Sequence, residues 1–103
     1  MPDFRTDQHK IMKKAISEYG SSHQILKAIE ELGELERALI KKMMYQIEFV
    51  HRDDVKDNHY NLMEEIADVE IMIYQIKLIY GIFYEVDSLR DKKLQRLKMR
   101  LGE

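Results

Sequence analysis

The sequence predicts an all-α fold, a bundle of four helices, and three observations predict it. Its single proline lies at position 2, so nothing in the interior of the chain forces a helix to break. Gly20 and Gly81 fall where one apolar-periodic stretch gives way to the next, and Gly102 closes the chain, as glycines do past helix ends. Between them the apolar residues recur at intervals of three and four, the mark of a helix with one buried face.

The elements follow in order. A first helix is capped by Thr6 or Asp7 and runs to Tyr19, with Met12, Ala15, Ile16 and Tyr19 as its stripe. Ser21 or Ser22 caps the second, whose stripe is Ile25, Ala28, Ile29, Leu32, Leu35, Leu39 and Met43. Gly33 sits inside this pattern, where glycine costs about 1 kcal/mol against alanine. The polar run from His51 to Asn58 reads as a connection. The third helix ends at Tyr80 and carries the stripe Leu62, Ile66, Val69, Ile73, Ile76 and Tyr80. Met63, Ile71, Met72, Leu78 and Ile79 populate its other faces. A helix apolar nearly all round is expected to be buried on most sides. A fourth helix, from about Asp87, carries Leu89, Leu94, Leu97 and Leu101.

Composition narrows the function. The 103 residues make one domain, 1–103, small enough that four short helices cannot cover the third, so dimerisation is expected to complete the core. With 17 basic and 19 acidic side chains the net charge is −2, which argues against a nucleic-acid partner. The absence of cysteine excludes disulfides, thiolate metal sites and thiol catalysis, and suits a reducing, cytoplasmic compartment. No apolar run is long enough to span a membrane, and Met1–Lys10 lacks the apolar stretch of a signal peptide.

The charge is unevenly placed. Eight of the 19 acids fall in windows 30–36 and 64–70, and six of the 17 bases fall within 90–100. At about 100° per residue, Glu31 and Glu34 share a flank of the second helix, with Lys27 between them in projection. Glu65 and Asp68 share a face of the third. Two helices packed by their apolar stripes would bring these four carboxylates together. Like charges at short range raise one another's pKa and cost stability unless compensated. A hard divalent cation that prefers oxygen supplies that compensation, Mg²⁺ best and Mn²⁺ as a substitute. Such an ion is used in phosphoryl chemistry to hold phosphate oxygens and activate water. The plainer alternative is a set of solvated acids paired with Lys27, Arg37, Lys41 and Lys77.

The ordered pattern Lys27-x-x-Glu30-Glu31-x-x-Glu34 followed by Glu65-x-x-Asp68 resembles the MazG-like, all-α nucleoside triphosphate pyrophosphohydrolases. The likeness extends to Gly81 and to the basic tail Lys93-Leu-Gln-Arg-Leu-Lys-Met-Arg100, similar to the ending of phage and prophage members. It implies Mg²⁺-dependent hydrolysis of (deoxy)nucleoside triphosphates to monophosphate and pyrophosphate, as in nucleotide-pool house-cleaning. It implies Glu31, Glu34, Glu65 and Asp68 as metal ligands, with Glu30 supporting them or orienting the attacking water. Lys93, Arg96 and Arg100 would meet the phosphates, and Lys27 would do the same or neutralise Glu31. A homodimer or homotetramer is implied as well. The sequence departs from the family at Leu97, where many members carry asparagine, and in its spacer, since 30 residues separate Glu34 from Glu65. Aligning the acids puts the turn near position 49, whereas the polar run lies at 52–58. An early end of the second helix, near Met44, with a further helical piece before Asn58, is the expected resolution.

Two rivals stand beside this reading. Phosphoribosyl-ATP pyrophosphohydrolase shares KxxEExxE, but has alanines and a histidine after its ExxD, where this chain has Val69-Glu-Ile-Met-Ile-Tyr74. A non-catalytic helical interaction module would leave the acids merely solvated. Other signals are weaker: His9, His23, His51 and His59 are scattered, and Glu48-x-x-His51 is a single pair where di-iron bundles use two. Tyr74, Tyr80, Phe83 and Tyr84 could stack on a base, but aromatics at helical spacing are usually core.

Overall fold

In the computed structural model the described residues are 5–48 and 52–103, with side chains described outside 45–58. They form four helices and no strand: α1 (Asp7–Tyr19), α2 (Ser21–Glu48), α3 (Arg52–Tyr80) and α4 (Phe83–Arg100). The fold is all-α, as the helical periodicity requires.

Local chemistry sets the boundaries. The Thr6 hydroxyl accepts a hydrogen bond from the His9 backbone N–H at 3.2 Å, satisfying one of the free donors of the first turn of α1. Gly20 alone links α1 to α2, at φ 92°, a backbone conformation that a Cβ would strain. Ser21 is accordingly already helical rather than a cap. Gly81, at φ 65°, closes α3: its N–H donates to the Leu78 carbonyl and that of Ile82 to the Lys77 carbonyl. The chain turns at once into α4, four residues earlier than the periodicity of Leu89 and Leu94 suggests.

The connection between α2 and α3 also differs from expectation. α2 does not end near Met44 but continues to Glu48, and residues 52–58, read as a polar loop, are the first two turns of α3. Asp53, Asp54, Asp57 and Asn58 are weak helix formers, but 52–58 contains no glycine or proline to stop a helix. Three cross-pairs fix the register: Gln24 with Gln75, Glu31 with Glu65, and Lys42 with His59. These make α2 and α3 an antiparallel hairpin centred on the 49–51 link, where aligning the acids places the turn.

The seam of that hairpin is not the leucine stripe. Gln24, Ala28, Glu31 and Ala38 are the buried residues of α2, and Val69, Met72 and Gln75 those of α3. Small residues at 28 and 38 let the helices approach closely. Ile29, Leu32, Leu39 and Met43 occupy the adjacent sector of α2 and remain 47–60% exposed. On α3, Ile66, Ile73 and Tyr80 of the expected stripe are exposed too. The expectation that α3 is buried on most sides therefore fails within one copy of the chain.

α1 lies against α3 and the start of α2 by its buried Met12 and His9. α4 touches the rest only at its base. Phe83 is buried, packed edge-on against Tyr74 at 4.9 Å, with the Lys77 ammonium 5.5 Å from its ring centroid. Asp87 receives Arg90 at 2.9 Å and Lys77 at 3.9 Å. From Ser88 onward every residue is exposed. The radius of gyration, 17.2 Å, exceeds the roughly 13 Å of a compact chain of this length, because α4 stands off the hairpin.

Candidate metal centre

The α2–α3 seam carries two buried polar groups. Near its open end, where α2 begins and α3 ends, Gln24 Nε2 donates to Gln75 Oε1 at 2.7 Å, and Gln75 Nε2 reaches the Met12 sulfur at 3.6 Å. His23 Nδ1 lies 2.9 Å from Gln24 Oε1; since an amide oxygen only accepts, that nitrogen carries the proton. This string of bonds ties α1, α2 and α3 together and is fully satisfied.

About two turns along α2 the chemistry changes. Glu31 projects from α2 into the seam and is 9% exposed. Glu65 and Asp68, one turn apart on α3, come to meet it, and one oxygen from each of the three carboxylates lies within 4.8 Å of the others. Lys27, one turn back on α2, reaches Glu31 Oε1 at 3.2 Å. That pair holds the Lys27 ammonium above its ordinary pKa, through the hydrogen bond to Glu31 first and the Glu30 charge next. Glu65 has no such partner. Its Oε2 is buried and accepts no hydrogen bond among the described residues. Partial burial, and then the charges of Glu31, Glu34 and Asp68, push its carboxyl above the usual carboxylate range.

Of the residues expected to form the site, Glu31, Glu65 and Asp68 converge. Glu34 does not join the three oxygens: it is turned to Arg37, whose guanidinium donates to its Oε1 at 2.8 Å, and it acts on Glu65 only through its charge. Glu30 is exposed beside Lys27. Lys93, Arg96 and Arg100 are exposed along the outstanding part of α4, and among the described residues none makes an ion pair with the acids. Lys27 makes the contact with Glu31 that the neutralising one of its two expected roles requires.

Of the weaker signals, His9, Tyr74 and Phe83 resolve as packing. His9 is buried with its Nδ1 2.7 Å from the Tyr74 hydroxyl, so it pins α1 to α3. Burial raises the Tyr74 phenol above its ordinary pKa. Tyr80 and Tyr84 are exposed. His51, and with it the Glu48–His51 pair, lies outside the described residues. The Gln24–Gln75 pair has no clear signal in the sequence, because glutamine on a helix is ordinarily solvated.

The three oxygens suit a small hard cation. Ligands around Mg²⁺ lie about 2.1 Å from the metal, hence roughly 2.9–4.2 Å from each other. Oxygens within 4.8 Å reach that range by small side-chain rotations. The donor set is all carboxylate, the type that selects Mg²⁺ or Mn²⁺ over softer metals. No helix among the described residues is long and apolar enough to cross a membrane. In comparisons with known proteins, no family model, no curated protein and no solved structure matches this chain.

Proposed function

We propose that this chain is a Mg²⁺-dependent nucleoside triphosphate pyrophosphohydrolase of the MazG-like kind, cleaving (deoxy)nucleoside triphosphates between the α and β phosphates. The observation that carries the proposal is the meeting of Glu31, Glu65 and Asp68 across the α2–α3 seam, with a buried Glu65 oxygen that no group among the described residues satisfies. A seam built only for stability would not place like charges there, because each such group costs free energy when left unpaired.

Glu31, Glu65 and Asp68 would hold the cation. Bound there, it supplies charge neutralisation for phosphate oxygens and lowers the pKa of water. Glu30, beside the triad on the exposed side of α2, accepts the proton of the attacking water. That water adds to the α phosphorus; the bond to the bridging oxygen breaks, and pyrophosphate leaves. Lys27 balances Glu31 before substrate arrives and is placed to exchange that carboxylate for a phosphate. Lys93, Arg96 and Arg100 are assigned to phosphate contact, for which arginine's planar fork is suited. In this reading the working unit is a homodimer or a pair of dimers, in the cytoplasm.

The deciding experiment incubates the protein with a panel of NTPs and dNTPs plus Mg²⁺ and identifies the products. Monophosphate and pyrophosphate in equal amounts are expected. Release of orthophosphate would overturn α–β cleavage. Inactivity on the whole panel, with no Mg²⁺ binding, would favour a helical interaction module.

A further inference from the structure

The polar string at the open end of the seam has a direction. The Met12 sulfur accepts and does not donate, so the Gln75 amide turns its NH₂ to it and its oxygen to Gln24. Gln24 Nε2 donates to that oxygen, which leaves Gln24 Oε1 facing His23 Nδ1 at 2.9 Å. The proton is therefore on Nδ1, and in a neutral imidazole the other nitrogen, Nε2, keeps its lone pair. Nδ1 points to the buried Gln24, so Nε2 lies on the far, exposed side of the ring, where it has no hydrogen-bond partner among the described residues. Buried groups of three helices, Met12, Gln24 and Gln75, thereby set the tautomer of an exposed histidine.

His23 is also in line with the acids. His23, Lys27, Glu30 and Glu34 follow one another at intervals of four, three and four, a single row along α2 beside Glu31. Glu31 lies eight residues beyond His23, about 12 Å along the helix axis, comparable with the reach of a nucleotide from its α phosphate to the edge of its base. Tyr19, the last residue of α1, stands next to His23: it is 62% exposed, and the two rings lie 5.7 Å apart, tilted by 34°. An exposed aromatic ring is a platform on which any base can stack.

We infer that Tyr19 and His23 form the nucleobase subsite of this chain, the Tyr19 ring carrying the base and His23 Nε2 accepting a hydrogen bond from an exocyclic amino group of adenine, cytosine or guanine. This deepens the hydrolytic reading above and rests on it for the phosphate end of the ligand. A fixed acceptor favours bases that bring an amino group over uracil and thymine, which have none. Stacking contributes to all of them. Gln24 and Gln75 are positioning residues, acting through the ring they orient.

Steady-state hydrolysis of ATP, CTP, GTP and UTP with Mg²⁺, in mildly alkaline buffer where imidazole is neutral, tests the inference. The wild type should show a kcat/KM about tenfold lower for UTP than for the other three, the scale of one hydrogen bond. His23→Phe keeps a ring but no acceptor, so it should erase that preference by raising KM for the three while kcat holds. Tyr19→Ala should raise KM about tenfold for all four, and Tyr19→Phe should not. His59→Phe, at an exposed histidine near the other end of the hairpin, should leave the preference as it is. Stacking is read separately with the triphosphate of 2-aminopurine riboside, whose fluorescence falls when the base stacks: the wild type should quench it and Tyr19→Ala should not. A wild type that hydrolyses all four nucleotides equally well, or a His23→Phe variant that keeps the wild-type preference, would overturn the inference and leave the hydrolytic reading intact. Quenching that depends on Tyr19 without hydrolysis of any nucleotide would overturn the hydrolytic reading and support the base subsite. Neither hydrolysis nor quenching would overturn both.

Discussion

The same seam holds two polar clusters within about two helical turns of each other, one buried and one opening to solvent at Asp68, and they obey opposite rules. Gln24 and Gln75 are neutral, complementary and hydrogen-bonded, with His23 and Met12 completing the string. Glu31, Glu65 and Asp68 are alike in charge, share only Lys27, and leave the Glu65 Oε2 without a partner. The first cluster is what packing produces when a polar group must be buried. The second is what packing avoids unless the site binds something. Their proximity removes any general looseness of the interface as the cause of the difference.

The largest effect that separates them is on turnover. Asp68→Asn should lower Mg²⁺-dependent nucleotide hydrolysis by at least about 100-fold, the upper end of what losing even a residue that supports a metal ligand costs. The metal-free variant should melt at or above the wild-type temperature, because a like charge has been removed. A steady-state assay beside a melt reads both. Gln75→Leu should do the reverse. It leaves the buried Gln24 amide unpaired, so it should cost about 1–3 kcal/mol by denaturant titration while the Mg²⁺ response persists.

Titration sharpens the contrast further. Glu65 has its pKa raised in the folded state, so its contribution favours folding below the ordinary carboxylate value and is lost as pH rises through the folded one. Metal-free protein should therefore gain stability from this group on mild acidification. In Glu65→Gln that component should vanish, as melts between neutral and mildly acidic pH would reveal. The smallest expected change lies outside both clusters. A Cβ at Gly33 would meet only the Arg37 guanidinium at 3.6 Å, ordinary contact with a flexible side chain. Gly33→Ala should stabilise α2 by about 0.5–1 kcal/mol with activity unaltered.

How far the sequence foretold this depends on which signal each feature left. Thr6, Gly20 and Gly81 mark their helix ends plainly, since a cap hydroxyl and a left-handed backbone each demand particular residues. The convergence of Glu31 with Glu65 and Asp68 was legible from one-turn spacing and an antiparallel hairpin. The end of α2 was not, because the polar run at 52–58 looks like a loop while containing nothing that stops a helix. The required alignment of the acids was the better guide. The seam itself was misassigned. Leucine and isoleucine dominate a periodicity count, yet Ala28 and Ala38 make the intrachain contact, and the larger side chains are left for another surface. A single chain's pattern cannot distinguish a face buried against itself from a face buried against a second copy. The basic residues of α4 show the same thing: Lys93, Arg96 and Arg100 were matched to phosphates by order in the chain, but the helix bearing them stands away from the acids of its own copy.

The most direct measurement is the change in melting temperature that Mg²⁺ produces in the wild type and in Glu65→Gln, in nucleotide-free buffer. The wild type should start low and rise as Mg²⁺ is added; the variant should start higher and stay level, since the amide relieves repulsion but no longer supplies a charged ligand. A wild type indifferent to Mg²⁺, or a variant that responds to it as the wild type does, would contradict a cation site at Glu31, Glu65 and Asp68.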